Sequence, residues 1–191
     1  MIYIDNSATT KQYPQVTETM MKYMEEYFGN PSSMYQLGLD SEKAVKHARK
    51  QVEEAMGAGN GTLIFTSGGT EADNTAIFGA ARALRRHGNR IITSAVEHPA
   101  VLECCKRLEQ DGYDVVYVGV DDKCRLDLER LEDAIDENTI LVGLMQVNNE
   151  AGTIMPVDAV KDLMKKKNAP GWFHCDAVQS FGKLQVPESA D

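Results

Sequence analysis

The sequence predicts an α/β domain built on a mostly parallel sheet. Three observations carry that reading. Short apolar runs rich in β-branched residues recur at 62–65, 90–94, 114–118, 139–146 and 172–175. Stretches of helical periodicity, roughly 10–15 residues long, separate them. Small or polar residues follow four of the runs, and ligands of such sheets bind beyond the carboxyl ends of the strands.

Ile2, Ile4 and the polar residues 6–10 make an extended start and a turn. Pro14 opens a helix as a first-turn proline. Its stripe of Val16, Met20, Tyr23, Met24, Tyr27 and Phe28 predicts core or a subunit contact. Gly29-Asn30-Pro31 stops that helix, and residues 32–38 read as loop. A second helix is expected from about Ser41 to Met56, turning Ala44, Val45, Ala48, Val52, Ala55 and Met56 inward. Residues 57–61 end it.

Thr62–Phe65 reads as a buried strand, and a helix follows through Ala76, Ile77, Ala80 and Leu84 to about His87. The joint between them, Ser67-Gly68-Gly69-Thr70, is small and hydroxyl-rich. Its glycines allow a tight turn and close approach of a ligand. The helix start offers unpaired N–H groups and the positive end of a dipole, and the hydroxyls of Ser67 and Thr70 add donors. That is a phosphate cradle. The alternative is a plain strand-to-helix turn with Thr70 as N-cap.

Arg90–Ser94 is the next strand, followed by a helix over Pro99–Gln110. Asp114–Val118 is a strand, and Asp127 caps a short helix through Leu128, Leu131 and Ile135. Thr139–Gln146 is a strand, Pro156 opens another helix through Val160 and Met164, and Trp172–Cys175 is a strand. No internal repeat or low-complexity segment interrupts the pattern.

Composition narrows the function. The chain has 191 residues and a net charge of −9, which argues against a nucleic-acid surface. Lys165-Lys166-Lys167 ends a predicted helix, where cations complement the dipole. No apolar stretch approaches the roughly 20 residues of a membrane helix, and the N-terminus lacks the pattern of a signal peptide. The four cysteines, Cys104, Cys105, Cys124 and Cys175, lack paired CxxC spacing, so reduced thiols in a cytoplasmic protein are expected. A zinc site from His98, Cys104, His174 and Cys175 has no support in the spacing, and no metal is expected.

The residues past the strands suggest chemistry. Asp176 closes an apolar strand, so its carboxylate is partly desolvated and needs a cationic or hydrogen-bonded partner. A protonated pyridine nitrogen is such a partner. His98 has a flat ring that stacks on an aromatic ligand and moves protons near neutral pH. Asn149 and Gln179 supply hydrogen bonds to a phenolate-type oxygen. A small phosphorylated aromatic cofactor with a ring nitrogen fits, and pyridoxal 5'-phosphate has each part. Plainer readings stand beside these: a structural His98, a capping Asp176, a turn at Asn148-Asn149 and a core Cys175.

The motifs Tyr3-Ile4-Asp5-Asn6-Ser7-Ala8-Thr9-Thr10, Asn30-Pro31-Ser32-Ser33, Phe65-Thr66-Ser67-Gly68-Gly69-Thr70-Glu71, Glu97-His98, Val147-Asn148-Asn149-Glu150-Ala151-Gly152 and His174-Cys175-Asp176-Ala177-Val178-Gln179 resemble the cysteine desulfurases. These belong to the class V aminotransferase group of fold-type I pyridoxal phosphate enzymes. The match runs in order over essentially the whole chain. The resemblance implies a three-layer α/β/α large domain over 16–191, with 1–15 belonging to the small domain. It implies that Gly69 and Thr70 hold the phosphate and that His98 stacks on the ring and helps shuttle protons. Asn149 and Gln179 would contact the ring hydroxyl side, and Asp176 would pair with the pyridinium nitrogen. The family takes sulfur from L-cysteine, leaves alanine and passes the sulfur through an enzyme cysteine to iron–sulfur cluster or thio-cofactor synthesis. A homodimer, a sulfur-acceptor or scaffold partner and a cytoplasmic location come with it.

The sequence departs from the family in two ways. A histidine common at or near Met34 is absent. The family's Ser-x-His-Lys motif, whose lysine forms the internal Schiff base, is expected after 183–191 and is not in this chain, nor is the mobile-loop cysteine. The expectation is therefore an incomplete large domain that is inactive alone. The alternatives are a non-catalytic cofactor-binding or assembly module, a selenocysteine lyase or another class V aminotransferase.

Overall fold

The computed structural model describes residues 2–57 and 61–191. They form two compact units, one through Ile64 and one from Phe65 to Asp191.

The first unit holds α1 (Pro14–Glu25) and α2 (Gln36–Met56). Pro14 takes the first helical position, as its fixed φ favours. The second helix begins at Gln36 rather than near Ser41. Gly38, which made 32–38 look like loop, is buried inside it; a Cβ there would lie 2.3 Å from the Ser33 carbonyl oxygen. The glycine marks a close helix-to-turn contact, not a break. The apolar stripe of α1 is a second difference. No residue of α1 is buried, and Phe28 is 70% exposed. Along α2, Val45, Ala48 and Ala55 are exposed while Ala44, Val52 and Met56 are half-buried. Two helices without a sheet bury little apolar surface.

The second unit contains α3 (Gly69–Leu84), β1 (Arg90–Ser94), α4 (Pro99–Gln110), β2 (Asp114–Val118), α5 (Leu128–Ala134), β3 (Thr139–Met145), α6 (Val160–Lys166) and β4 (Trp172–Asp176). The strands pair in the order β2-β1-β3-β4, all parallel. Successive residues point to opposite faces, so each strand feeds two cores. Ile91 and Leu141 pack with Ile77 of α3 and Val101 of α4. Ile92, Val142 and Phe173 pack on the other face with Leu131 of α5 and Val160 of α6. The unit is thus the expected α/β/α sandwich. All of β3 is buried, as a central parallel strand requires. Arg90 locks the start of the sheet, reaching Asp114 at 2.7 Å and Asp136 at 2.8 Å.

Three expectations need correction. Residues 62–65 form no strand, and Ile64 and Phe65 are 70% and 52% exposed. A β-branched run becomes a strand only when a neighbouring strand extends its hydrogen-bonded ladder, and the described sheet β2-β1-β3-β4 does not include it. The helix after the cradle ends at Leu84, not near His87, whose N–H closes a turn onto the Leu84 carbonyl at 2.8 Å. Pro156 precedes a short 3₁₀ turn, Val157–Ala159, that leads into α6, instead of starting the helix itself.

Gly171, just before β4, gives a direct test of packing. A Cβ there would lie 2.4 Å from the Ile140 carbonyl carbon. Backbone cannot swing aside as a long side chain does. Gly171→Ala is expected to destabilise the fold by about 3 kcal/mol. Urea unfolding with an unchanged midpoint would refute that close approach.

Candidate functional site

The carboxyl ends of β1, β3 and β4 and the amino end of α3 carry the polar residues of this unit. The N-cap of α3 is Gly68, and Thr70 lies inside the first turn, so Thr70 is not the cap. Glu71 instead reaches back to the residue before the cap. Its Oε2 accepts the Ser67 N–H at 2.7 Å and the Ser67 hydroxyl at 2.6 Å. These bonds hold the Glu71 carboxyl below its ordinary range. The Ser67 hydroxyl, expected to face a phosphate, is therefore committed to Glu71. The first intrahelical bond runs from the Ala72 N–H to the Gly68 carbonyl, so the N–H groups of Gly69, Thr70 and Glu71 have no partner within the helix. Gly69 lies against the loop after β4: a Cβ there would sit 3.1 Å from Val178 Cγ2.

Asp176 ends β4 and is half-buried. Its Oδ1 accepts the Val178 N–H at 2.9 Å, which folds the chain toward Gly69. Burial raises its carboxyl above the ordinary range; the Val178 bond and the nearby His174 and His98 oppose that, while Asp73 adds to it. His98 is exposed and caps α4, its Nδ1 accepting the Ala100 N–H at 3.1 Å. A backbone N–H only donates, so the neutral ring carries its proton on Nε2. His98 is thus both a structural cap and a free Nε2–H donor.

Asn149 is half-buried on a turn that its neighbour Asn148 anchors. Asn148 donates to the Val96 carbonyl at 3.0 Å and accepts the N–H groups of Glu150 and Ala151. That bond ties the turn to the loop carrying His98. Gln179 is half-buried one residue beyond Val178. Contacts therefore draw Gly69, Asp176 and Gln179 to one end of the sheet, with the His98 and Asn149 loops joined beside them.

Sequence reasoning passed over Asp73 and named Glu97 only as part of the Glu97-His98 motif, without a role. Asp73 on α3 is 4% exposed, and its Oδ1 lies 3.1 Å from His174 Nε2 on β4. The signal was present: Asp73 shares the buried stripe with Ile77, Ala80 and Ala81. Glu97 is 5% exposed and takes the Ser94 hydroxyl at 2.6 Å and the Met145 N–H at 2.9 Å. Burial pushes its carboxyl up to about 7. Burial likewise pushes Cys104 up to about 11 and Cys105 and Cys175 up to about 12, so these thiols stay protonated at neutral pH. Among the described residues, no cluster of three metal-ligating side chains occurs.

The donor set fits pyridoxal phosphate. Helix-start amides suit a phosphate, and a half-buried carboxylate with one backbone hydrogen bond among the described residues suits a ring cation. A side chain at position 69 would have to displace the exposed Val178 side chain, so glycine keeps the cradle open. Residues 2–189 match the aminotransferase class-V family. A cysteine desulfurase of Trichormus azollae is 48% identical over 188 residues, spanning 97% of this chain and 46% of that protein. A solved NifS-like protein superposes with a TM-score of 0.90 at 39% identity, covering 98% of this chain and 51% of the other. The structure of SspA in complex with cysteine gives 0.82 at 34% identity, covering 98% and 54%. The chain spans about half the length of the relatives it matches.

Proposed function

The chain belongs to the aminotransferase class-V family, and from that premise we propose that it forms the cofactor-cradling part of a pyridoxal-phosphate-dependent cysteine desulfurase. The reaction removes sulfur from L-cysteine, leaves alanine and delivers the sulfur to an acceptor or scaffold protein for iron–sulfur cluster or thio-cofactor synthesis. One observation carries the reading. The open amides of α3 and the half-buried Asp176 are held together through the Gly69–Val178 contact.

When bound, pyridoxal phosphate supplies an electron sink for substrate bond cleavage. The protein's own groups do the positioning. Gly69 and Thr70 present N–H groups to the phosphate. Asp176 holds a proton at the ring nitrogen. His98, with its Nε2–H, would stack on the ring, and Asn149 and Gln179 would hydrogen-bond the ring hydroxyl side. Cys104, Cys105 and Cys175 do not receive the sulfur, because transfer needs a thiolate and burial keeps these thiols protonated. A large domain from residue 16 onward, a homodimer and a cytoplasmic location complete the proposal. Among the described residues, no helix is long and apolar enough to cross a membrane.

Equilibrium dialysis with pyridoxal phosphate tests it. Saturable binding is expected, weakened about ten- to a hundredfold in Asp176→Asn, the usual range for a hydrogen bond to a charged group. Absence of saturable binding, or equal affinity in the variant, would count against the reading.

A further inference from the structure

Two rails carry the candidate site. One is the first turn of α3, with the open amides of Gly69 and Thr70; the other is the end of β4, with Asp176. Their separation decides whether one ligand reaches both. Asp73 stands four residues after Gly69, one helical turn of about 6 Å along the same face of α3. His174 stands two residues before Asp176, about 7 Å along the same face of β4. Asp73 Oδ1 and His174 Nε2 meet at 3.1 Å. From that bond, stepping back along α3 and forward along β4 covers nearly equal lengths and ends at Gly69 and Asp176.

Other contacts leave the span loose. Ile77, one turn beyond Asp73, packs with Ile91 of β1 and Leu141 of β3, so the apolar anchor of α3 lies away from β4. At Gly69 the neighbour is the exposed Val178 side chain, which can give way. On the far side of the pair, a cavity of about 420 Å³ is lined by Ala76 and Ala80 of α3 and by Trp172 and His174 of β4, so close packing does not fix the spacing there. Among the described residues, no other side-chain hydrogen bond joins α3 to β4. With its proton on Nε2, the imidazole donates to the carboxylate in a directed bond. Asp73 is buried and His174 half-buried, so water competes little for it.

We propose that Asp73 and His174 are the positioning pair of this site: their bond sets the span between the α3 amides and Asp176, and so favours a ligand that carries a phosphate at one end and a ring cation at the other. Asp73 acts through the helix start and His174 through Asp176. The benefit belongs to joint binding. Once one end is seated, the other meets its partner at an effective concentration that the span sets, and a drifting span lowers it. A ligand with one end alone gains nothing from the span. That the two ends are a phosphate and a ring nitrogen rests on the functional reading above.

Ligand-observed NMR titrations, on ring protons or phosphorus-31, read weak and tight binding alike and separate positioning from support of the fold. Three probes serve. Pyridoxine 5'-phosphate has both ends and no aldehyde, while pyridoxine and inorganic phosphate have one end each. His174→Ala is expected to weaken pyridoxine 5'-phosphate about tenfold and to leave the other two within about twofold of the wild type. His174→Gln, whose amide nitrogen takes the place of Nε2, is expected to restore the affinity to within about threefold. Where His174→Ala does not fold, the double variant Asp73→Ala with His174→Ala, which leaves no unpaired carboxyl, takes the same measurement. Equal weakening of all three probes overturns the pair's role, because it reports general loosening. So does an unchanged affinity for pyridoxine 5'-phosphate, or a His174→Gln protein that binds it no better than His174→Ala. A wild type that binds none of the three overturns the functional reading and the pair's role with it. A wild type that binds pyridoxine 5'-phosphate, matched by its variants, overturns the pair's role alone.

Discussion

Replacing Glu97 by glutamine is expected to make the protein more stable at pH 8, by on the order of 2 kcal/mol, and slightly less stable at pH 4. The cause is linkage between folding and protonation. Burial raises the Glu97 carboxyl from 4.5 to about 7. Between those values the folded state binds more protons than the unfolded state, so the Glu97 contribution to stability falls as pH rises through that window. Above it, the wild type carries a constant penalty of about 3 kcal/mol. Glutamine resembles the neutral acid: its oxygen accepts from Met145 and its amide donates to Ser94. Its second amide hydrogen lacks an obvious partner, which costs ~1 kcal/mol at every pH. Carboxyls remote from Glu97 titrate alike in both proteins and cancel in the difference. Urea denaturation of the pair from pH 4 to pH 8 checks this, and parallel stability curves would refute it.

Truncating His174 to alanine is the second large effect, an expected loss of about 3 kcal/mol at neutral pH. His174 Nε2 is the partner of Asp73 Oδ1 at 3.1 Å, and the Asp73 side chain is only 6% exposed. Removing one member of a buried pair leaves the other desolvated and unpaired, which costs more than the pair itself contributes. Here the orphaned carboxyl also faces Glu97 and Asp176. Removing both partners relieves that debt. The double variant Asp73→Ala with His174→Ala is therefore expected to cost less than the two single losses added together. A double-mutant cycle measures the difference directly, and strict additivity would show that the contact carries no coupling. The pair also has a structural task, because it fastens the helix bearing the phosphate cradle to the strand bearing Asp176.

These effects sit on a fold that was largely legible beforehand. The limits of β1, α4 and β2 follow from local signals: apolar runs, Pro99 at a helix start and polar residues between. The apolar residues of β1 and α4 are the buried ones, so pattern and environment agree. Residues 62–65 illustrate the opposite case. Their composition suits a strand, but strand formation is a property of two segments, and the described sheet β2-β1-β3-β4 does not include them. The stripe of α1 is not core for a related reason, since periodicity marks a face and does not provide the surface that covers it; the other reading, a subunit contact, is compatible with its exposure.

The sequence by itself determined the α/β order from β1 onward, the place of Gly69 at the start of a helix and of His98, Asn149, Asp176 and Gln179 past strands, and the likeness to a cofactor-binding family. Each depends on residues near one another in the chain. Only the tertiary structure decided that Gly68 rather than Thr70 is the N-cap of α3, with Ser67 tied to Glu71, that Asp73 meets His174 across 101 positions of sequence, and that Glu97 is buried between Ser94 and the Met145 amide. The reason is physical. A carboxyl group's protonation and worth depend on the solvent it loses and the charges it meets, and both are set by elements that become neighbours only on folding.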